Sequence, residues 1–224
     1  MYEELIVADT ETASIEGGVC DLAVVVLDRN FNQLAAVESL IDPERPISPQ
    51  ASGIHHITDE MVAHEPTMAE FLDLYGNPFD RPNPIIGGHN IQFDIRVLGD
   101  LIPAEHRKLC TLKLARILWP DAPDHKLQTL RYMFRLDAGD AHRAMGDVRV
   151  CVSLLRMVRD QMGHDLESLM GLLSKPISLD TKMPFGKHQG EALKDLPISY
   201  VRWALANMTT LDNDLREALA SRIN

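Results

Sequence analysis

Short unbroken apolar runs alternate along this chain with longer stretches in which apolar residues recur every three to four positions. Leu5-Ile6-Val7-Ala8 is the first such run and predicts a short buried strand. Val19 to Leu27 and Asn32 to Ile41 predict two more, and Asp28-Arg29-Asn30 between them has hairpin turn chemistry, so the first three strands form an antiparallel meander. Pro43, Pro46 and Pro49 punctuate a loop. Thr58 or Asp59 can cap the next helix, and Thr67 another that runs through Tyr75. After Pro78, Pro82 and Pro84 comes Ile85-Ile86-Gly87-Gly88, a short buried strand. Phe93 to Leu101 predicts a helix, Lys108 to Thr111 a strand, and Leu112 to Leu118 a helix ended by Pro120. Helical spacing resumes at Leu127, Leu130, Met133 and Phe134, and again from Ala144 through Met157. Strands first and alternating helices later predict an α/β fold with a mixed central sheet flanked by helices and a small C-terminal appendage.

Four carboxylates fall at telling places in this pattern. Residues i and i+2 of a strand share a face, so Asp9 and Glu11 project together at the end of the first strand. Adjacent like charges repel and resist desolvation unless a cation sits between them, although an isolated Asp-x-Glu also suits a solvated strand end. Asp94 begins the helix after the fourth strand, and Asp147 lies in the first turn or two of the long late helix. Ligands in open α/β sheets gather outside strand ends, where helices begin, so the four should converge. His142, beside Asp140-Ala141 in the loop that launches the late helix, can reach over them; by itself it reads as a capping or surface residue. Hard cations such as Mg²⁺ and Mn²⁺ prefer carboxylate oxygen, and two of them about 3.5–4 Å apart can stabilise both oxygens of an in-line displacement at phosphorus.

Composition narrows the picture. The 224 residues are 45% hydrophobic and 25% charged, enough for one sizeable α/β core and a smaller unit. Ser174 to Ser178 reads as a linker, which divides the chain into residues 1–174 and 175–224. No apolar run approaches the roughly 18 residues that span a bilayer, and the N-terminus lacks a signal pattern, so the expected location is cytoplasmic, with no membrane partner. Cys20, Cys110 and Cys151 are widely spaced among apolar residues and read as reduced core cysteines. A net charge of −11 excludes a broad basic nucleic-acid surface. Residues 175–224 differ, with seven Lys/Arg against six Asp/Glu.

Asp9-Thr10-Glu11-Thr12, His89-Asn90-x-x-Phe93-Asp94 and His142-x4-Asp147 resemble the three exonuclease motifs of the DEDD superfamily, in its histidine-containing branch. The resemblance spans roughly residues 3–160 and includes the connectors Ile54 to Val62 and Cys110 to Arg116. It implies a ribonuclease H-like fold and a 3′-5′ exonuclease that releases nucleoside 5′-monophosphates. It assigns Asp9, Glu11 and Asp147 to one divalent ion, shares Asp9 with a second, gives Asp94 to that second ion, and makes His142 the general base. An imidazole, with an ordinary pKa of about 6.5, suits that task near neutrality. Thr10, Thr12, His55, His56, Asn90 and Phe93 fall where the family meets its substrate. Ser14, Asp21 and His56 depart from the family's frequent Gly, Glu and Gly, and Ser14 and Asp21 are expected to lie away from the catalytic set.

The segment from Met183 through Leu205, with Phe-Gly-Lys-x-x-Gly as a hairpin turn and Pro197 in the first turn of a helix, resembles the tail of the bacterial exonuclease X family. Tyr200 and Trp203 are expected in the small core of this tail. Lys187, Lys194 and Arg202 are candidate DNA contacts, and the module is also a candidate docking site for a protein. The implied substrate is DNA at its 3′ ends, single-stranded or duplex, with no preference set by the sequence. Three alternatives stay open: a 3′-5′ exoribonuclease, a proofreading-type polymerase III subunit, and a non-catalytic nucleic-acid-binding adaptor. Nothing in the sequence sets an oligomeric state.

Overall fold

The computed structural model describes residues 4–136 and 142–223. Its five strands are β1 (Leu5–Ser14), β2 (Gly17–Leu27), β3 (Gln33–Leu40), β4 (Ile85–Gly88) and β5 (Arg107–Cys110). They form one sheet in the order β3-β2-β1-β4-β5, antiparallel among the first three and parallel from β1 to β4 and from β4 to β5. The mixed sheet expected from the sequence is therefore present.

Ten helices are described: α1 (Pro49–His55), α2 (Asp59–Val62), α3 (Met68–Tyr75), α4 (Gln92–Leu98), α5 (Thr111–Leu118), α6 (Leu127–Phe134), α7 (Ala144–Met162), α8 (Leu166–Leu173), α9 (Ile198–Asn207) and α10 (Asn213–Ala220). One face of the sheet packs Leu5, Val7, Ala23 and Val25 against Val148, Cys151 and Leu155 of α7. The other packs Ile6, Ala8, Val24 and Val26 against Phe71, Ile91 and Leu98. Among the described residues no helix is long and apolar enough to cross a membrane.

Three expectations need correction. The first strand does not end at Glu11 but runs to Ser14, carried past its polar residues by pairing with β2, with a register shift between Glu11 and Thr12. The Pro43-to-Pro49 loop ends in a helix: Pro49 occupies the first helical turn of α1, where a missing N–H costs nothing, and the Ser48 hydroxyl accepts from Ala51 N. The helix expected to reach Leu101 ends at Leu98, where Gly99 takes φ +53°, and a 3-10 turn follows. Thr67 caps α3 as expected, in a reciprocal capping box with Glu70.

The C-terminal residues build their own apolar cluster around Met183, Leu193, Leu196, Val201, Leu215 and Leu219, into which Ile117 of α5 also packs. Gly186 and Gly190 take φ of +81° and +85° in the expected hairpin turn, closed by Met183 N donating to Glu191 O at 2.8 Å. Pro197 stands one residue before α9 rather than within it. Tyr200 joins the cluster, but Trp203 is 52% exposed and lies against the Tyr200 ring instead of entering the core. One i, i+3 stripe of this short helix is too narrow to bury both rings. The unit is tied to α5 by ion pairs from Lys113 to Asp214 at 2.9 Å and from buried Arg116 to Asp212 at 2.8 Å.

Asp212 also caps α10 by accepting from Leu215 N. Asp212→Ala should therefore destabilise the protein by about 2–3 kcal/mol in urea unfolding, through loss of a cap and of the partner of a buried guanidinium. A change within about 0.5 kcal/mol would show that Arg116 needs no such partner.

Candidate active site

β4 is the element that shapes the site. It pairs with β1 only through Leu5–Val7, so beyond Val7 the β1 edge has no strand beside it. A Cβ on Gly88 would lie 2.6 Å from the Ala8 carbonyl oxygen, so only glycine lets β4 finish this close to β1. The chain then turns through Asn90, at φ +61°, into α4 and brings Asp94 against the open edge. There Asp94 Oδ1 accepts from Thr10 N at 2.9 Å and from Thr10 Oγ1 at 2.8 Å. A carboxylate has replaced the missing strand as acceptor.

Asp9 and Glu11 point to the opposite face, toward the start of α7. Oxygens of Asp9, Glu11 and Asp147 lie within 4.8 Å of one another, a cluster able to hold a metal ion. Asp147 sits in the first turn of α7, and its Oδ1 accepts from Gln128 Nε2 at 2.6 Å. Asp94 stands outside that group of three but close enough to act on Asp9 electrostatically. His142 is exposed at φ +56°, two residues before α7, and lies close enough to Asp147 to lower that carboxyl's pKa against the effect of burial. Asp140 and Ala141 lie outside the described residues.

The electrostatics are those of carboxylates held together against their preference. Burial, then repulsion from Asp94, Asp147 and Glu11, pushes Asp9 well above the usual carboxylate range. Burial with the charges of Asp147 and Asp21 raises Glu11 to about 7. Burial raises Asp94 to about 7 despite its bonds from Thr10, and burial raises Asp147 as well. Hard oxygen donors, crowded and short of compensating charge, fit a divalent cation.

Of the remaining expected residues, Thr10, Thr12, His55 and Phe93 line a cleft of about 490 Å³ together with Glu11 and Ile54, whereas His56 and Asn90 do not line it. His55 is buried, with Nδ1 accepting from Ile57 N and Nε2 therefore donating to Thr12 O at 3.2 Å, so its ring fixes the cleft wall. His56 takes φ +61° at the end of α1, the conformation that the family's glycine would adopt freely. Ser14 needs no such freedom, because the positive φ angles of this turn fall on Gly17 and Gly18. Asn90 is exposed at its turn, and Phe93 is half-buried beneath Arg96. Lys187, Lys194 and Arg202 are exposed on the C-terminal unit, with Lys194 paired to Asp180 at 2.6 Å.

Two residues escaped the sequence reading. Gln128 left no signal, being one polar residue on an amphipathic helix. Asp21 did leave one, as a lone charge inside the apolar run Val19 to Leu27. The expectation that it lies away from the catalytic set is wrong: it pairs directly with Glu11 across β1 and β2 and accepts from Arg143 Nε at 2.9 Å.

A mixed sheet with this carboxylate cluster at the open edge of its central strand defines a class of phosphodiester-cleaving enzymes, and comparison with known proteins agrees. A family model described as exonuclease (RNase T) matches residues 6–155. The chain belongs to this exonuclease family, and the fold is the ribonuclease H-like one. It is 34% identical to exodeoxyribonuclease 10 of Escherichia coli K12 over 222 residues, 95% of this chain and 96% of that one. Identity to DNA polymerase III subunit epsilon of Treponema pallidum is 32% over 157 residues, 65% of this chain and 72% of the relative. The solved structure of exonuclease X in complex with 5′ overhanging duplex DNA matches with a TM-score of 0.62 at 30% identity, covering 75% of this chain and 99% of that one. Exonuclease I, at 20% identity, shares the fold with a TM-score of 0.64 over 75% of this chain and 42% of its own. Residues 176–208 match a second model, described as a quorum-sensing-regulated virulence factor, which is too short a match to assign the chain.

The raised carboxylates make a pH prediction. The folded chain holds protons on Glu11 and Asp94 up to about pH 7, whereas the unfolded chain loses them near pH 4, so their contribution to stability falls as pH rises through that window. A divalent cation held by the cluster would replace those protons. Its addition should therefore raise the melting temperature more at about pH 8 than at about pH 5 in thermal scans, and an equal rise at both would contradict the cluster's assignment.

Proposed function

We propose that this protein is a metal-dependent 3′-5′ exodeoxyribonuclease that removes nucleoside 5′-monophosphates from DNA 3′ ends, with DNA repair as its setting. The observation that carries this reading is the convergence of Asp9, Glu11 and Asp147 oxygens within 4.8 Å, beside buried Asp94 and exposed His142. In this reading Asp9, Glu11 and Asp147 hold one divalent ion, Mg²⁺ or Mn²⁺, and Asp94 with Asp9 holds a second. When bound, the ions supply positive charge to the attacking and leaving oxygens at phosphorus.

The chain's own groups do the rest. His142, on an exposed turn before α7, takes the proton of the attacking water through its imidazole, and the new oxygen–phosphorus bond forms as the bond to the 3′ oxygen breaks. Thr10, Thr12, His55 and Phe93 line the cleft that receives the terminal nucleotide, with the Phe93 ring as an apolar face for its base, and His56 at the end of α1 and Asn90 at the turn into α4 are further substrate contacts in this reading. Lys187 and Arg202, with Lys194 partly neutralised by Asp180, offer the C-terminal module a way to touch phosphates further along the strand. Residues 1–174 form the nuclease proper and 175–224 the accessory module.

Digestion of 3′- and 5′-labelled DNA, with a matched RNA, tests this directly. The 3′ label should leave first as mononucleotide, DNA should be preferred, and excess chelator should abolish turnover. Asp9→Ala should remove activity, and His142→Ala should reduce it by about 10²–10⁴-fold across neutral pH. Substantial cleavage in chelator, or wild-type turnover in His142→Ala, would defeat the respective assignments.

A chain ending at Ser174 should still cleave a short single strand while melting at a lower temperature, because it loses the packing on Ile117. It should show a higher KM on duplex DNA and a shallower salt dependence of binding. Unchanged KM and salt slope would make the module a protein-docking or purely stabilising unit.

A further inference from the structure

We infer that Asp21 is the positioning residue for His142, acting on the catalytic histidine from a strand that carries none of the metal ligands. The inference rests on the reading of His142 as the base. Asp21 is 4% exposed, in the middle of β2 and directly opposite Glu11. Like charges facing each other across two strands destabilise the pair, so a carboxylate here must find strong compensation. It finds it at the start of α7: Asp21 Oδ2 accepts from Arg143 Nε at 2.9 Å and from Ala144 N at 3.3 Å.

Those contacts supply something α7 lacks. Arg143 occupies the N-cap position, and its side chain makes no capping hydrogen bond, so the carboxylate that receives the first helical N–H comes from another strand. His142 immediately precedes Arg143 and holds φ +56°, a conformation that a non-glycine residue keeps only when its surroundings enforce it. Both flanks do so. On one side His142 lies against the Asp147 carboxylate, close enough to lower its pKa, and on the other Asp21 clamps Arg143 and Ala144. The imidazole thus leaves a backbone that faces a metal-cluster carboxylate and is held, from the next two residues, by a carboxylate reserved for positioning. Arg143 also lies near enough to Glu11 to lower its pKa, so the same clamp softens the charge that Asp21 brings.

A double-mutant cycle on the full-length protein separates this role from a merely structural one. Asp21→Ala should lower kcat on a short single-stranded DNA by about 10- to 100-fold at saturating Mg²⁺, with KM and the Mg²⁺ dependence close to wild type. In a His142→Ala background the same change should cost almost nothing more, because no histidine remains to be placed. Asp21→Glu, which keeps the carboxylate, should recover most of the loss. If Asp21→Ala does not fold, Asp21→Asn carries the cycle: its amide oxygen still accepts from Ala144, so a smaller loss with the same non-additivity is expected. Losses that add in full, or a rise in the Mg²⁺ requirement with normal kcat at saturation, would overturn the inference. Normal turnover in Asp21→Ala beside a crippled His142→Ala would remove this role alone, whereas normal turnover in His142→Ala would remove the base assignment with it.

Discussion

Carboxylates crowded at the open edge of the central strand are the constraint on which this structure depends. Asp9 and Glu11 share a face of β1 by strand geometry, and Asp147 meets them from the first turn of α7. Asp94 closes the edge that β4 leaves bare. Burial raises all four above the ordinary carboxylate range, and no packing advantage explains placing them together. The rest of the fold answers to this arrangement. β4 is only four residues long, Gly88 lets it close on Ala8, and Asn90 turns the chain so that α4 delivers Asp94. Apolar packing of α7 against Leu5, Val7, Ala23 and Val25 supplies the rigidity that holds like charges in place.

The sequence made the carboxylate cluster legible because each member lies at an element boundary with its own local signal. Asp9 and Glu11 follow an unbroken apolar run at the period of a strand, and Asp94 and Asp147 each fall in the first turn of a helix. β2 and β4 were equally plain, since buried strands read as nearly continuous apolar runs. Less was visible where an element depends on distant partners. β1 continues through Thr10, Thr12 and Ser14 because β2 pairs with it, and no local propensity announces that. Pro49 looked like punctuation, but at the first turn of a helix it is a starting residue. Asp21 was noticed as a departure from the family and then set aside, because its partner Arg143 lies 122 residues away. Trp203 was expected in the core of the tail from its spacing with Tyr200, but the cluster it would join is filled by Leu193, Val201 and Leu215.

The C-terminal unit changes in meaning once its contacts are visible. Read from sequence it is an appendage beyond a linker. In the fold it shares Ile117 with the larger core and covers Arg116, the helix α5 residue that pairs with Asp212. Helix α5 begins at Thr111, whose hydroxyl contacts His89 Nδ1 at 3.0 Å, next to the Asn90 turn that delivers Asp94. The C-terminal residues therefore rest on an element that also buttresses the carboxylate edge.

If the cluster exists to hold cations, neutralising one member should help the metal-free protein while destroying its response to metal. The decisive measurement is the melting temperature of Asp9→Asn and of the unaltered chain, each in chelator and in Mg²⁺, at about pH 8 where the carboxylates are most fully ionised. The account predicts that Asp9→Asn melts higher than the unaltered chain in chelator and gains little from Mg²⁺. A variant that melts lower in chelator, and still gains as much from Mg²⁺ as the unaltered chain, would show that Asp9 is a structural residue and would contradict the metal site on which everything else rests.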